Sequence, residues 1–319
     1  FEPLPDGYWV LTSRYDAREG YVSWLDPSGG EEARLPLGTG RHDGVADATG
    51  ALVVSATEGL VRARRVSRVG APPETIIADR RLPAYEFSDV FGAAHPSGAL
   101  LATWIQDGVL RARVRSPAGR LGAAMTLDSG VRNVSASVAT SAGWLVANDH
   151  GLVFVDVETG SSRVITLGSW PEAAPIAVTP VGAVVGLVNG LAYVDSRGTV
   201  ERTLPLSFTP TLLLPGDASV LVLGASVAQR VAFNGDLRDA APSEVAAGRT
   251  PVAGWSCGVD CWTVTWAGGS VSALQIEVAG EGLVTQVSSS GPWATVSPNH
   301  VAAASEIGIV MWERGGVIR

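Results

Sequence analysis

Ser141-Ala142-Gly143-Trp144-Leu145-Val146-Ala147-Asn148-Asp149-His150-Gly151-Leu152-Val153-Phe154-Val155-Asp156-Val157-Glu158-Thr159-Gly160 decides the architecture. It reads as a Gly-containing turn, an apolar run, a polar break carrying Gly, a second apolar run and a polar turn. Short β-prone runs bounded by turn residues are hairpins. The same signals recur along the whole chain. The opening turn returns as Pro5-Asp6-Gly7, Asp47-Ala48-Thr49-Gly50, Pro96-Ser97-Gly98, Pro180-Val181-Gly182, Pro215-Gly216-Asp217, the segment 257–261 and Pro298-Asn299. Each is followed at once by an apolar run, for example 99–102, 183–187 and 262–266. A polar turn and a short fourth stretch close each unit. A four-stranded meander repeated about every 40 residues is the signature of an all-β fold, the β-propeller.

The turn motifs predict eight antiparallel four-stranded blades in a single domain, 1–319. Seven is the alternative, because the two end units are irregular. Terminal strands from the two ends can share a blade, which closes the ring and removes exposed sheet edges. A helical reading fails on the same residues: 38 Gly and 19 Pro fall at intervals that would break any helix. The Val-rich runs suit strands buried on both faces.

Net charge is −8, from 23 basic and 31 acidic residues, and every basic residue is Arg. Without Lys the chain cannot be a P-loop NTPase, a Schiff-base enzyme or a pyridoxal enzyme. The acidic balance argues against nucleic acid as a partner, since neutralising phosphate needs clustered cations. The Arg clusters Arg62-Ala63-Arg64-Arg65 and Arg111-Ala112-Arg113-Val114-Arg115 alternate as on a solvated outer edge strand. No apolar run approaches the ~18 residues that span a bilayer. The chain opens on Phe1 rather than Met, as either a mature form after signal removal or a trimmed chain would. At 46 % hydrophobic and 17 % charged, with 10 Trp, it can bury a large core. Trp9, Trp24, Trp104, Trp144, Trp262, Trp266 and Trp312 fall in or beside strand runs and are expected between blades. Trp170 and Trp293 lie instead in connecting loops beside Pro, where exposed aromatics can bind a sugar or a partner.

Cys257 and Cys261 are the two cysteines, and they flank a short Gly-containing hairpin loop. Directly opposed positions on antiparallel strands lie ~4.5–5.5 Å apart at Cα, within disulfide range. A bond here implies an oxidising compartment: periplasm, cell surface or exterior. A metal site would need further ligands, and no His spacing supplies them, so no metal is expected. Gly254-Trp255-Ser256-Cys257-Gly258 matches a nucleophile elbow by letter, but in a strand–turn–strand context rather than strand–turn–helix.

Candidate ligand-binding residues are those on connections between units and on second-to-third strand turns. The segment 79–91 carries Arg80, Arg81, Tyr85, Glu86 and Asp89. Arg41 and His42, with Asp43, take the equivalent place one unit earlier. Arg14-Tyr15-Asp16 and Asn148-Asp149-His150 occupy second-to-third strand turns at the same predicted end. Arg, Tyr, His and carboxylate together suit an anionic or sugar ligand. The competing reading is a polar loop surface with local salt bridges of little energetic weight. Asn234-Gly235-Asp236 is expected to be a plain turn rather than a calcium loop, because the alternating acidic run is missing.

Val155-Asp156-Val157-Glu158-Thr159-Gly160 and Tyr193-Val194-Asp195-Ser196-Arg197-Gly198 resemble the third-strand end and turn of quinoprotein-like (YncE-like) bacterial propellers. The resemblance implies the propeller fold. It implies no cofactor: the Trp that follows this turn in quinoprotein repeats is absent, and so is an adjacent Cys pair. The expected function is a secreted or periplasmic module that binds a protein or a glycan through its loop-rich face. The alternatives are an extracellular glycan lyase or hydrolase, and a structural subunit of a cell-envelope assembly.

Overall fold

The computed structural model describes the chain without interruption from 87 to 245 and, outside that stretch, chiefly the strand segments named here; side chains are described throughout 90–245 and at scattered positions elsewhere. Every regular element among the described residues is a strand. They form seven four-stranded sheets and one three-stranded sheet, each laid down in chain order.

The first sheet is Glu2–Pro3, Trp9–Thr12, Gly20–Leu25 and Glu31–Gly38. The second is Arg41–Asp47, Gly50–Thr57, Leu60–Val66 and Thr75–Asp79. The third is Phe87–Ala94, Leu100–Gln106, Val109–Arg115 and Met125–Ser129. The fourth is Val134–Ala139, Gly143–Asn148, Leu152–Asp156 and Ser162–Ile165. The fifth is Ile176–Thr179, Gly182–Leu187, Gly190–Asp195 and Val200–Pro205. The sixth is Leu212–Pro215, Ser219–Leu223, Val227–Ala232 and Ser243–Glu244. The seventh is Thr250–Gly258, Cys261–Gly268, Ser270–Ala279 and Gly282–Val287. Val301–Ala303, Val310–Arg314 and Val317–Ile318 make the three-stranded sheet.

The chain falls into two compact units, Phe1–Thr166 with Ser196–Gly198, and Leu167–Asp195 with Thr199–Arg319. Within the first unit the opening strands of the second, third and fourth sheets lie side by side. Within the second unit so do those of the fifth, sixth and seventh. An antiparallel meander puts its second-to-third strand turn and its connection to the next sheet at one end, called here the connection end.

Second strands carry the core. Leu100–Gln106, Gly143–Asn148, Gly182–Leu187 and Ser219–Leu223 are buried at every position, as their continuous apolar runs require. Fourth strands are more exposed, at three of four positions in Ser162–Ile165 and four of six in Val200–Pro205. The third strand Val109–Arg115 alternates strictly between buried and half-buried. Arg62, Arg64, Arg111, Arg113 and Arg115 therefore stand on third strands, not on the outer edge the alternation suggested. Arg113 donates to Gly122 O at 2.7 Å and to Ile77 O of the second sheet at 2.7 Å. Its guanidinium clips one sheet to the next.

Local turn chemistry explains the recurring Asp before a Gly turn. Asp156 Oδ1 accepts from the amides of Glu158 and Thr159 and from the Thr159 hydroxyl. Asp195 Oδ1 accepts from the Thr199 amide at 2.7 Å. The αL residue each turn needs is Gly160 (φ 65°) and Gly198 (φ 77°). In the sixth sheet Asn234 Nδ2 donates to Asp236 Oδ2 and Asn234 Oδ1 accepts from the Asp236 amide, so this segment closes on itself as a turn.

In the seventh sheet the register pairs Ser256 with Trp262 and Gly258 with Cys261, with an irregularity between. Cys261 is thus directly opposite Gly258, not Cys257 as the hairpin reading assumed. A one-residue bulge sets two residues of one strand against one of the other, so Cys257 remains beside Cys261 along the backbone. Both cysteine side chains lie outside the described residues, and no disulfide is present among those described.

Candidate functional site

The described polar residues converge at the connection end of the third and fourth sheets. Asn148 ends a fully buried strand and is itself wholly buried. Its Oδ1 accepts from the amides of His150 (2.7 Å) and Gly151 (2.9 Å), and its Nδ2 donates to Asp128 Oδ2 at 3.1 Å. Asn148 thereby shapes the turn and fixes the carboxylate of the neighbouring sheet's last strand. His150 stands between two acids, with Nδ1 3.4 Å from Asp128 Oδ2 and Nε2 3.9 Å from Asp149 Oδ2.

Asp149 also reaches into the connection that precedes the fourth sheet. It accepts from the Arg132 amide at 3.1 Å and from Arg132 Nε at 3.3 Å. The Asn133 amide lies at 3.5 Å. Burial works to raise the Asp149 carboxyl, but these hydrogen bonds win and hold it below the ordinary carboxylate value. Its side chain is 3 % exposed, while that of Arg132 is 81 % and that of His150 43 % exposed. The cluster thus presents a guanidinium and an imidazole to solvent on a carboxylate base that is already saturated. A carboxylate so satisfied is a poor proton acceptor, and it serves to aim its neighbours.

Such locking recurs. In each of the described cases the connection end is tied by a backbone bond: Val131 N to Gly108 O, Asp149 N to Asn133 O, Val188 N to Ser169 O, Leu206 N to Asn189 O and Val245 N to Ser226 O. Asn189, in αL conformation (φ 54°), also accepts at Oδ1 from Thr209 Oγ1 at 3.0 Å.

The other candidates are placed differently. Arg41 and His42 open a strand rather than occupying a loop. His42 is 2 % exposed, bonded through Nδ1 to Ser55 Oγ at 2.9 Å and through Nε2 to Gly38 O at 3.1 Å. Burial lowers its pKa, the bond to the Gly38 carbonyl partly offsets this, and Arg64 lowers it further. The neighbouring Asp43 Oδ2 accepts from the Gly92 amide at 2.8 Å and joins the second sheet to the third. Trp170 is half-buried and engaged with its surroundings. Arg80, Arg81, Tyr85, Glu86, Trp293 and Arg14-Tyr15-Asp16 lie outside the described residues, as does the side chain of Asp89. Asp149 and His150 are brought together with two residues the sequence reading passed over, Asp128 and Arg132. The available signal was their position: both flank a predicted connection. Among the described residues no group of three or more His, Cys, Asp or Glu is placed to hold a metal. No helix among them is long and apolar enough to cross a membrane, which says nothing of a β-barrel.

No protein-family model matches the chain, and no curated protein matches it. Solved structures do. The dihydro-heme d1 dehydrogenase NirN in complex with DHE is similar at a TM-score of 0.60 and 10 % identity, over 86 % of this chain and 62 % of that one. This chain therefore spans less than two thirds of that protein's length. Virginiamycin B lyase from Staphylococcus aureus is similar at 0.54 and 9 % identity, over 96 % and 95 %. The WD40 domain of Neurospora crassa Pan2 is similar at 0.56 and 8 % identity, over 83 % of each chain. At these identities the likeness speaks to fold alone: the chain is a β-propeller, and enzymes and a WD40 domain stand among its structural neighbours.

Proposed function

We propose that the chain is a binding module that takes a protein partner on the connection end of its sheets. The tied connections carry this reading. A lid that closes over a substrate needs a segment free to move, whereas here each described connection is bonded to a second-to-third strand turn. Asp149 is held ionised by the donors around it, which makes it a poor base. Rigid backbone presenting Arg132 and His150 suits recognition of a polar, carboxylate-bearing surface.

The test compares immobilised wild-type chain with Arg132→Glu and His150→Ala. A protein ligand bound by the wild type and lost from Arg132→Glu supports the reading. Binding that survives both changes, or retention of glycans alone on an array, sinks it. Turnover of a glycan abolished by His150→Ala would replace it with an enzymatic one.

The same reading places the chain in an oxidising compartment, with Cys257 and Cys261 bonded. It rests on the two cysteines standing beside one bulged hairpin. Thiol titration of the denatured chain should find no free thiol before reduction and two after it. Two free thiols in protein kept from air and isolated from its native source would overturn the compartment.

A further inference from the structure

Asn-Gly occurs twice in the chain, at Asn189-Gly190 and Asn234-Gly235. In this pair a main-chain nitrogen can attack the preceding side chain, because Gly has no Cβ to hinder its approach. The two copies are built differently. Asn189 Oδ1 is drawn away to Thr209 Oγ1 at 3.0 Å. Gly190 is buried inside its sheet, paired with Leu187 on one side and Pro205 on the other. Asn234 is exposed, in the turn that leaves the third strand of the sixth sheet. Its Oδ1 accepts from the Asp236 amide at 3.2 Å, which folds the carboxamide along the chain beside the Gly235 peptide. Gly235 N donates to Ala232 O at 2.9 Å, a turn bond rather than part of a ladder. Arg202, from the fifth sheet, donates through Nη1 to the Asn234 carbonyl at 2.9 Å. Its guanidinium covers Gly235, where a Cβ would lie 2.8 Å from Arg202 Nε.

We propose that Asn234 is a site of self-modification, where the turn converts its own carboxamide to a carboxylate through a cyclic imide, assisted by Arg202. Gly235 N gives up its proton to hydroxide and bonds to Asn234 Cγ. The Cγ–Nδ2 bond breaks, and ammonia leaves with a proton taken from water. Water then opens the imide at either carbonyl, giving Asp or its main-chain isomer. The attack needs negative charge on the peptide nitrogen, which the peptide shares with the Asn234 carbonyl oxygen. That oxygen is the one Arg202 donates to, so the cation stabilises the anion as it forms. The Arg202 side chain is 44 % exposed, and solvent weakens this help without removing it. Conversion also changes the turn. Asn234 Nδ2 now donates to Asp236 Oδ2 at 2.8 Å, and the product sets a second carboxylate there instead. The proposal stands apart from the protein-binding surface around Asp149 and does not depend on it.

The test is incubation of the whole folded chain in mildly alkaline buffer, with peptide mapping by mass spectrometry and chromatographic separation of the two acid isomers. Asn234 should convert ahead of Asn189 and yield both isomers. Arg202→Gln should slow conversion at Asn234 severalfold and leave that at Asn189 unchanged. Arg202→Lys keeps a cation and should recover part of the rate. Circular dichroism of each variant restricts the comparison to folded chains, and the order of the two sites in the wild type needs no variant. Conversion at Asn189 first, no conversion at Asn234, or an Arg202→Gln chain that converts Asn234 as fast as wild type would each overturn the proposal.

Discussion

Gly143 occupies a position where a side chain has no room. A Cβ there would lie 2.0 Å from the Val155 carbonyl oxygen, which is backbone and cannot step aside, and 3.0 Å from the Phe154 ring. Gly151, in the same hairpin, has nothing within 4 Å of its Cβ position. Gly143→Ala should therefore cost about 1–3 kcal/mol, and Gly151→Ala should stay within about 0.5 kcal/mol of wild type. Urea unfolding of both variants reads the contrast, and equal losses would refute the contact. Asp149 makes a second residue-scale prediction, with a sign. Its folded pKa is depressed below 3.8, so between the two values the unfolded chain binds more protons. The stability it contributes is present above 3.8 and is lost as pH falls through the folded value. Asp149→Asn should start less stable than wild type at neutral pH, and the gap should narrow as the solution is acidified below that window. A gap that does not change with pH would mean the charge plays no part. The residues of this cluster were only half legible in the sequence. Asp156 and Gly160 read directly because a turn is satisfied within five residues, whereas Asp128 meets Asn148 across 20 positions, a pairing set by how two sheets abut.

Strands and their order carry a different device. Arg163, on a fourth strand, lies over the Phe154 ring on its neighbouring third strand with 5.5 Å to the centroid, and bonds to the Arg197 carbonyl. Arg202 repeats this over Tyr193 at 5.9 Å and donates to Asn234 O at 2.9 Å. Arg34 lies over Tyr21 at 4.2 Å. In each case the guanidinium stacks on its own sheet, a contact open to Arg through its planar group. Arg113 does the related work from a third strand, with one carbonyl acceptor in its own sheet's following connection and one on the neighbouring sheet. Arg113→Met keeps the apolar stem but leaves both carbonyls without their cationic donor, and should cost about 1.5–3 kcal/mol. Arg113→Lys should recover part of that, since one ammonium cannot span both acceptors in the geometry of the fork. Equal stability of Met, Lys and wild type in guanidinium titrations would show the clip to be inert. The alternation of these Arg was plain in the sequence, and it gave the strand and its two faces. It did not give the strand's rank within its sheet, because rank depends on counting weak fourth strands such as the two-residue Ser243–Glu244. His42 was misplaced for a similar reason: Arg41-His42-Asp43 has the composition of a loop, yet Gly20 leaves the space that lets the imidazole pack inside, where a Cβ would lie 2.1 Å from its Cδ2.

At the scale of the molecule, the repeat was legible because every unit must solve the same problem. Each needs a second strand buried on both faces and tight turns at either side, and both demands leave local marks in Val-rich runs and in Gly, Pro, Asp and Ser. A ligand is chosen by the connections, whose side chains no periodic demand constrains, and so fold was readable where function was not. Net charge does bear on function. With −8 overall and 23 Arg as the full set of side-chain cations, the chain projects a mostly negative field, relieved at points such as Arg132. A protein partner drawn to it should carry net positive charge with an acidic spot facing Arg132, and its encounter should be steered by long-range attraction. The association rate should then fall severalfold as ionic strength rises from about 0.01 to 0.15 M, where the Debye length shrinks from about 30 to 8 Å. The dissociation rate should change far less, being governed by contacts already formed. Stopped-flow or surface-based kinetics at four salt concentrations, with Arg132→Glu run beside the wild type, separates the cases. A neutral glycan would bind at a rate indifferent to salt, and a partner whose association quickened with salt would have to be acidic, which overturns the predicted net positive charge of the partner.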